Sequence, residues 1–417
     1  MNADDTGHRR RTVKSILRKT LVGAGVFLAV LLVAGVSGFV YLRNSDWWIT
    51  FTLFSDETRV ENFRNFHTLF PSEAANAGDS VWHFDRDIQN LPDTFSFDGE
   101  ERSVAAFLEE TWTTGLSIAV DGTIVAEEYY RGYDSASLPT SFSMAESVLS
   151  ALVGIAIDEG YIQSVHDRVD RYLPDFASSD YGRVSIQDLL TMSSGLGFDE
   201  DYDSFTSDIN MLPVRVFGFR DAIPDLLRDT EAVREPGVYN EYVSSDSLVL
   251  GLVVEAAVGQ SLSSFLEQSV WIPAGMEHPA YWNTDFHGNT MGHAFLSASL
   301  NDFLRFGRLY LNNGRRGEQQ IIPANWVSES VYRSEARLQP GENPDSDWEF
   351  GYGYKWWIPE DPEGDFTAIG IWGQYVYVHP EYRVVIAKTS ADYDFDERDH
   401  ETIALFRELA RWASDRR

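Results

Sequence analysis

The 417-residue chain contains no cysteine. That absence excludes a disulfide framework, an iron–sulfur cluster, a thiolate zinc site, a cysteine nucleophile and a lipid-modified N-terminal cysteine. Positive charge is scarce too: 33 Lys and Arg stand against 65 Asp and Glu, a formal net charge of −32. Phosphate backbones need a basic face, so a nucleic-acid partner is disfavoured. Lysine occurs only at Lys14, Lys19, Lys355 and Lys388. There is no G-x-S-x-G elbow, H-E-x-x-H pair, Walker loop or dinucleotide fingerprint, so the common hydrolase, zinc-protease and nucleotide signatures are missing. None of the nine histidines is spaced at i, i+3 or i+4 from another, which argues against a helical metal site. His400-Glu401 begins as a zinc-protease helix would, but Ile403-Ala404 ends the match. No metal or organic cofactor is expected.

What is present starts with a long apolar run. Leu21–Leu42 carries no charge and only Ser37 as a clearly polar side chain. Twenty-two residues at about 1.5 Å each can cross a hydrocarbon core of about 30 Å, so a single transmembrane helix is expected. Arg9, Arg10, Arg11, Lys14, Arg18 and Lys19 precede it and should stay cytoplasmic, with Trp47 and Trp48 at the outer interface. The apolar run is longer than the core of a cleavable signal peptide, and no small-x-small cleavage site follows it. The expected organisation is a basic cytoplasmic tail over 1–20, the span over 21–42, a lead-in over 43–100 that packs on the main domain, and that domain over 101–417.

Within the main domain, Leu116–Val120 and Thr123–Tyr130 flank Asp121-Gly122, a two-residue hairpin signal. A buried helix follows over about Ser143–Glu159, apolar over most of its girth and closed by Gly160. The middle, about Tyr161–Gly341, reads as helical, with helices over Ser245–Val258 and Asn301–Leu311. Strand patterns return at Gly351–Ile358, Gly370–Val378 and Arg383–Thr389, before a last amphipathic helix over about Asp399–Ala413. The fold class expected is α+β: one antiparallel sheet built from both termini of the domain, flanked by helices, with a helical lobe inserted between.

The stretch Ser141-Phe-Ser-Met-Ala-Glu-Ser-Val-Leu-Ser150 runs on into ALVGIAIDEG. After it come RVDRYLPDF, VSIQDLLTMSSGL, the EPG at Glu235–Gly237, Tyr242-Val243-Ser244, IPAGM, NDFLRFGRLYLNNG, IIPANWV and GIWGQYVYVHP. In kind and order these resemble the landmarks of the serine β-lactamase and penicillin-binding-protein (DD-peptidase) superfamily. The resemblance covers about 100–415, within the class C-like branch, and is nearest to the aminohexanoate-oligomer-hydrolase group, which shares the G-Q-Y-x-Y-V strand.

The resemblance implies a serine nucleophile at Ser143, where helix N–H groups favour developing negative charge. It implies a proton shuttle at Tyr242 with Ser244 beside it, and a substrate contact at Tyr202. It also implies an oxyanion donor on the Gly370–Gly373 edge strand, assigned to a backbone N–H near Gln374 with Gly373 beside it, and the first donor from Ser143 itself. The family's lysine, three residues after the serine, is here Glu146. Neither Lys355, in the expected Gly351–Ile358 strand, nor Lys388, in a later one, matches that position.

Three readings of Ser143-x-x-Glu146 stay open. It can be a capping box, in which the serine caps the Glu146 amide and the carboxylate reaches back. It can mark a silenced member that binds a ligand as a sensor or scaffold of the cell envelope. Or it can belong to a working hydrolase of esters or amides, with Glu146 or another group as base. Burial would raise the Glu146 pKa and the helix N-terminus would lower it. The location implied is a bacterial inner membrane, with the domain in the periplasm or extracytoplasmic space and a small-molecule or peptide-like substrate.

Overall fold

The computed structural model describes residues 4–43 and 45–415, in two units, Met1–Thr52 and Leu53–Arg417. In the first unit, Asp4–Arg43 is one continuous helix whose Leu17–Arg43 portion, 27 residues, is long and apolar enough to cross a membrane. A short helix, Asp46–Thr52, carries Trp47 and Trp48.

The second unit is built on an eight-stranded sheet. From one edge its strands run Gly351–Tyr352, Trp357–Ile358, Phe366–Gly370, Gln374–His379, Val384–Ser390, Thr113–Val120, Thr123–Tyr129 and Asp85–Arg86. The two ends of the chain meet where Val384–Ser390 pairs antiparallel with Thr113–Val120. All neighbours are antiparallel except Asp85–Arg86, which lies parallel to Thr123–Tyr129. At the hairpin expected from Asp121-Gly122 both residues take positive φ, +48° and +87°, as a type I′ turn requires.

Period-two patterning places Leu116, Ile118 and Val120 on one face with Tyr375, Tyr377, Val384 and Ile386. The C-terminal helix Asp399–Ser414 covers this face through Ile403, Phe406 and Leu409. On the opposite face Gly307 of the Leu300–Leu311 helix lies so close to Val376 and Val385 that a Cβ there would strike them. Residues between Leu53 and Glu100 belong to the same unit: Ser72–Ala75 pairs with Ala280–Asn283, and Phe54 stacks on Trp372 at 5.7 Å.

Two expected elements take a different form. The strand read over Gly370–Val378 is the end of Phe366–Gly370, a turn over 371–373 and the antiparallel strand Gln374–His379. The single strand read over Gly351–Ile358 is a hairpin, with Tyr352 opposite Trp357. Two glycines and a tight return leave Lys355 at its turn with φ +63°, a conformation an L side chain occupies only when its surroundings hold it there.

Candidate active site

Ser143 sits at the start of the Met144–Asp158 helix, half-buried, with φ −68° and ψ −6°. Its hydroxyl makes no capping bond, so the capping-box form does not occur; the Glu146 amide donates instead to the Ser143 carbonyl at 3.0 Å. The residue before it, Phe142, has φ +45°. The chain therefore turns sharply into the helix, and the serine side chain is left free at the helix's positive end.

Glu146 lies one turn on and is 2% exposed, with Oε1 lacking any hydrogen-bond partner. Burial pushes its carboxyl up to about 7, against the pull of Lys355 and of the Ser247 and Tyr242 hydroxyls that face it. Burial is the largest influence on this group, ahead of the Lys355 charge. Neither the Tyr242 nor the Ser247 hydroxyl closes a hydrogen bond of normal geometry, and the Tyr352 hydroxyl is likewise unpartnered. Tyr242 is held by stacking on Trp357 at 5.6 Å, and burial pushes its hydroxyl well above the usual tyrosine range.

Beside them, Ser244 donates its N–H and its hydroxyl to Glu200, at 2.9 and 2.6 Å, and the Tyr202 hydroxyl donates to the same carboxylate at 2.8 Å. Burial raises Glu200 to about 7 as well. Tyr202 lines the cleft together with Ser143.

The opposite wall is the Phe366–Gly370 strand and the turn after it. Gly370 abuts the Ser141 carbonyl and the Ser143 amide so closely that a side chain would collide there. From that contact the chain continues into Ile371 and Trp372, which line the cleft. Gln374 is 1% exposed, and its amide donates to the carbonyls of Trp372 at 3.0 Å and Ser390 at 2.8 Å. Its side chain thus clamps the turn from behind. Gly373, at φ +80°, packs against Ser390 and Lys388. Phe54, Phe142, Trp372 and Phe395 form aromatic walls, with Asp203, Asp394 and Asp396 around them.

A family model described as "Beta-lactamase" matches residues 101–409. The chain belongs to the beta-lactamase family. It is 27% identical over 298 residues to the 6-aminohexanoate-dimer hydrolase of Paenarthrobacter ureafaciens, covering 70% of this chain and 76% of that protein. Among solved structures it is similar to "Putative 6-aminohexanoate-dimer hydrolase from Bacillus anthracis", with TM-score 0.76 and 22% identity over 85% of this chain and 96% of that one. The octameric penicillin-binding protein homologue from Pyrococcus abyssi aligns with TM-score 0.56 and 19% identity, covering 73% and 75% of the two chains.

In this beta-lactamase-family chain Ser143, Tyr202 and Ser244 line one cleft, and Ser143, Tyr202 and Tyr242 line the recess beside it. Glu146 is buried next to Tyr242, the Gln374 side chain turns away toward Ser390, and Gly373 packs against Ser390 and Lys388. Sequence reasoning missed Glu200, which the run of acids from Asp199 to Asp203 does not single out. It missed His293, a buried cleft residue that burial alone keeps neutral, with a pKa lowered to about 3. It also read Lys355 as part of a single strand, whereas the hairpin turn buries its ammonium where it favours the ionised form of Glu146. Away from the cleft, Glu349, Glu360 and His400 bring ligand atoms within 4.8 Å of one another on the surface. Exposed acidic groups of this kind are common without an ion.

Proposed function

We propose that this chain is a serine hydrolase that cleaves an ester or amide through an acyl-enzyme on Ser143. The observation that carries the reading is the free Ser143 hydroxyl at a helix N-terminus, facing a cleft with Tyr242 beside it and a buried carboxylate behind. In this reading the Ser143 Oγ proton passes to the Tyr242 hydroxyl as Tyr242 gives its own proton to Glu146. Oγ bonds to the substrate carbonyl carbon, and the carbonyl oxygen takes up the negative charge. Two main-chain N–H groups would stabilise it, that of Ser143 and one on the Gly370–Gln374 turn, where the approach of Gly370 to Ser143 favours Ile371. When the intermediate collapses, the proton returns through Tyr242 to the departing amine or alcohol. Water then repeats the sequence on the acyl-enzyme.

A carboxylate raised toward neutrality by burial is a better proton acceptor than an ordinary one, which is what Glu146 needs in place of an amine. Aromatic walls ringed by carboxylates suit a substrate with an apolar body and a positive end. The name of the Paenarthrobacter relative, a hydrolase of an aminohexanoate dimer, supports a small amide substrate. The apolar Leu21–Leu42 run behind a basic tail supports a single-pass anchor with the domain outside the cytoplasm. Tyr242→Phe tests the shuttle: it should lower hydrolysis of a p-nitrophenyl ester by about 10²-fold or more. An unchanged rate would contradict it.

A further inference from the structure

We infer that Lys355 supplies, from the turn of the Gly351–Ile358 hairpin, the positive charge behind the nucleophile that the helix itself lacks, acting as a positioning residue that orients the Glu146 carboxylate toward Tyr242. The inference rests on the Ser143 reading above and deepens it.

Its ground is the way this lysine is held. Lys355 is 2% exposed, and its ammonium finds the Met192 sulfur at 3.0 Å, a weak acceptor for so strong a donor. The backbone is held in a left-handed turn by three bonds: Ser147 Oγ donates to the Lys355 carbonyl at 2.6 Å, and the Lys355 amide donates to the carbonyls of Leu190 at 3.2 Å and Gly353 at 3.1 Å. Ser147 follows Glu146 directly on the helix, so this bond ties the turn to the residue it serves. Met192, whose sulfur accepts that bond, is itself at φ +48°.

The acidic groups facing the ammonium come from three other elements: Glu146 on the nucleophile helix, Asp246 on the Ser244–Val258 helix and Glu200 on the acidic loop. Glu146 Oε1 and Asp246 Oδ2 are both buried without a hydrogen-bond partner. The Tyr242, Ser247 and Tyr352 hydroxyls converge on Glu146 without closing a hydrogen bond of normal geometry. A cluster built only for stability would close these bonds, because each buried unmatched group is destabilising. Left open around one cation, they form a polar chamber behind Ser143 in which a proton can be taken up and returned. Lys388, the other lysine beyond Arg43, is occupied elsewhere: its ammonium donates to Ser390 Oγ at 2.5 Å.

Because Lys355 favours the ionised form of Glu146, its removal makes that carboxylate harder to ionise. The experiment is the rate of fluorophosphonate labelling of the purified full-length chain, followed by intact mass from pH 5 to 9, for wild type, Lys355→Met, Lys355→Arg and the exchange Glu146→Lys/Lys355→Glu. Lys355→Met is expected to slow labelling about 100-fold and to move the acid limb of its pH profile up by roughly one unit. Lys355→Arg should leave the limb in place, and the exchange should label at least tenfold faster than Lys355→Met.

Lys355→Met that labels at the wild-type rate with an unmoved profile overturns the inference while leaving Ser143 intact. Wild type that never labels overturns the Ser143 reading instead. Should Lys355→Met fail to fold, as read by circular dichroism, the other variants decide: a folded Lys355→Arg whose acid limb is unmoved supports the inference. A folded exchange variant as inert as Ser143→Ala overturns it.

Discussion

The Ser244 amide and hydroxyl grip the two oxygens of Glu200, at 2.9 and 2.6 Å, while Tyr202 holds one of those oxygens from the cleft side. One half-buried carboxylate therefore fixes two residues of the cleft wall at once. Glu200→Ala should release both, costing about 1–3 kcal/mol of stability for the groups left unmatched and raising KM more than it lowers kcat. A thermal melt and steady-state kinetics on an ester substrate check this. An unchanged melting temperature with unchanged KM would show the grip to be idle.

Four carboxyls are driven up to about 7 by burial: Glu146, Glu200, Asp246 and Asp399. An unfolded Asp or Glu titrates near 4, so between about pH 4 and 7 the native chain keeps protons that the unfolded chain has lost. Unfolding free energy therefore falls as pH rises through that window and levels off above it. Glu127, Asp302 and Asp365 have the opposite sign; hydrogen bonds and ion pairs lower them, and their contribution is lost on acidification below about 4. The melting temperature should peak near pH 5 and drop by several degrees toward pH 7.5. Glu146→Gln should flatten that slope, which self-repulsion among surface charges alone would leave unaltered.

Gly370 is where the sheet touches the nucleophile helix. A methyl group there meets the Ser141 carbonyl and must push the strand and the helix start apart. Displacing an oxyanion donor by about 1 Å costs about 100-fold in rate, so Gly370→Ala should fold and lose kcat by that order. Circular dichroism and ester turnover separate the two effects. Full activity in Gly370→Ala would place the oxyanion donors elsewhere.

Cleft charge gives a prediction for specificity. With Asp203, Asp394 and Asp396 lining the entrance, kcat/KM should favour an ester bearing an ammonium over its carboxylate analogue, by about tenfold at low ionic strength, and added salt should erode the difference. Salt-independent preference would assign the selectivity to the aromatic walls alone.

Much of this was legible in the sequence. The Asp121-Gly122 turn, the Ser143 helix and the pairing of both chain ends into one sheet follow from local turn chemistry and hydrophobic period, signals that neighbours reinforce. Glu200 and Lys355 were not, for two different reasons. In Asp199–Asp203 only the tertiary fold selects the acid that turns inward. Gly351–Ile358 reads as one strand because its aromatic residues all favour extended backbone, whereas the close return between Tyr352 and Trp357 is imposed by the Ser147 and Leu190 contacts that catch Lys355. Gln374 was singled out for its backbone N–H; that its side-chain amide reaches back to the Ser390 carbonyl is a product of the tertiary fold that the local pattern does not show.

The most direct test of the account is the intact mass of the purified full-length chain after exposure to a fluorophosphonate, with Ser143→Ala alongside. The account predicts a single adduct on wild type that is absent from Ser143→Ala. A folded wild type that gains no mass at any pH between 5 and 9 would contradict it, and would mean that Glu146 has silenced the nucleophile rather than served it.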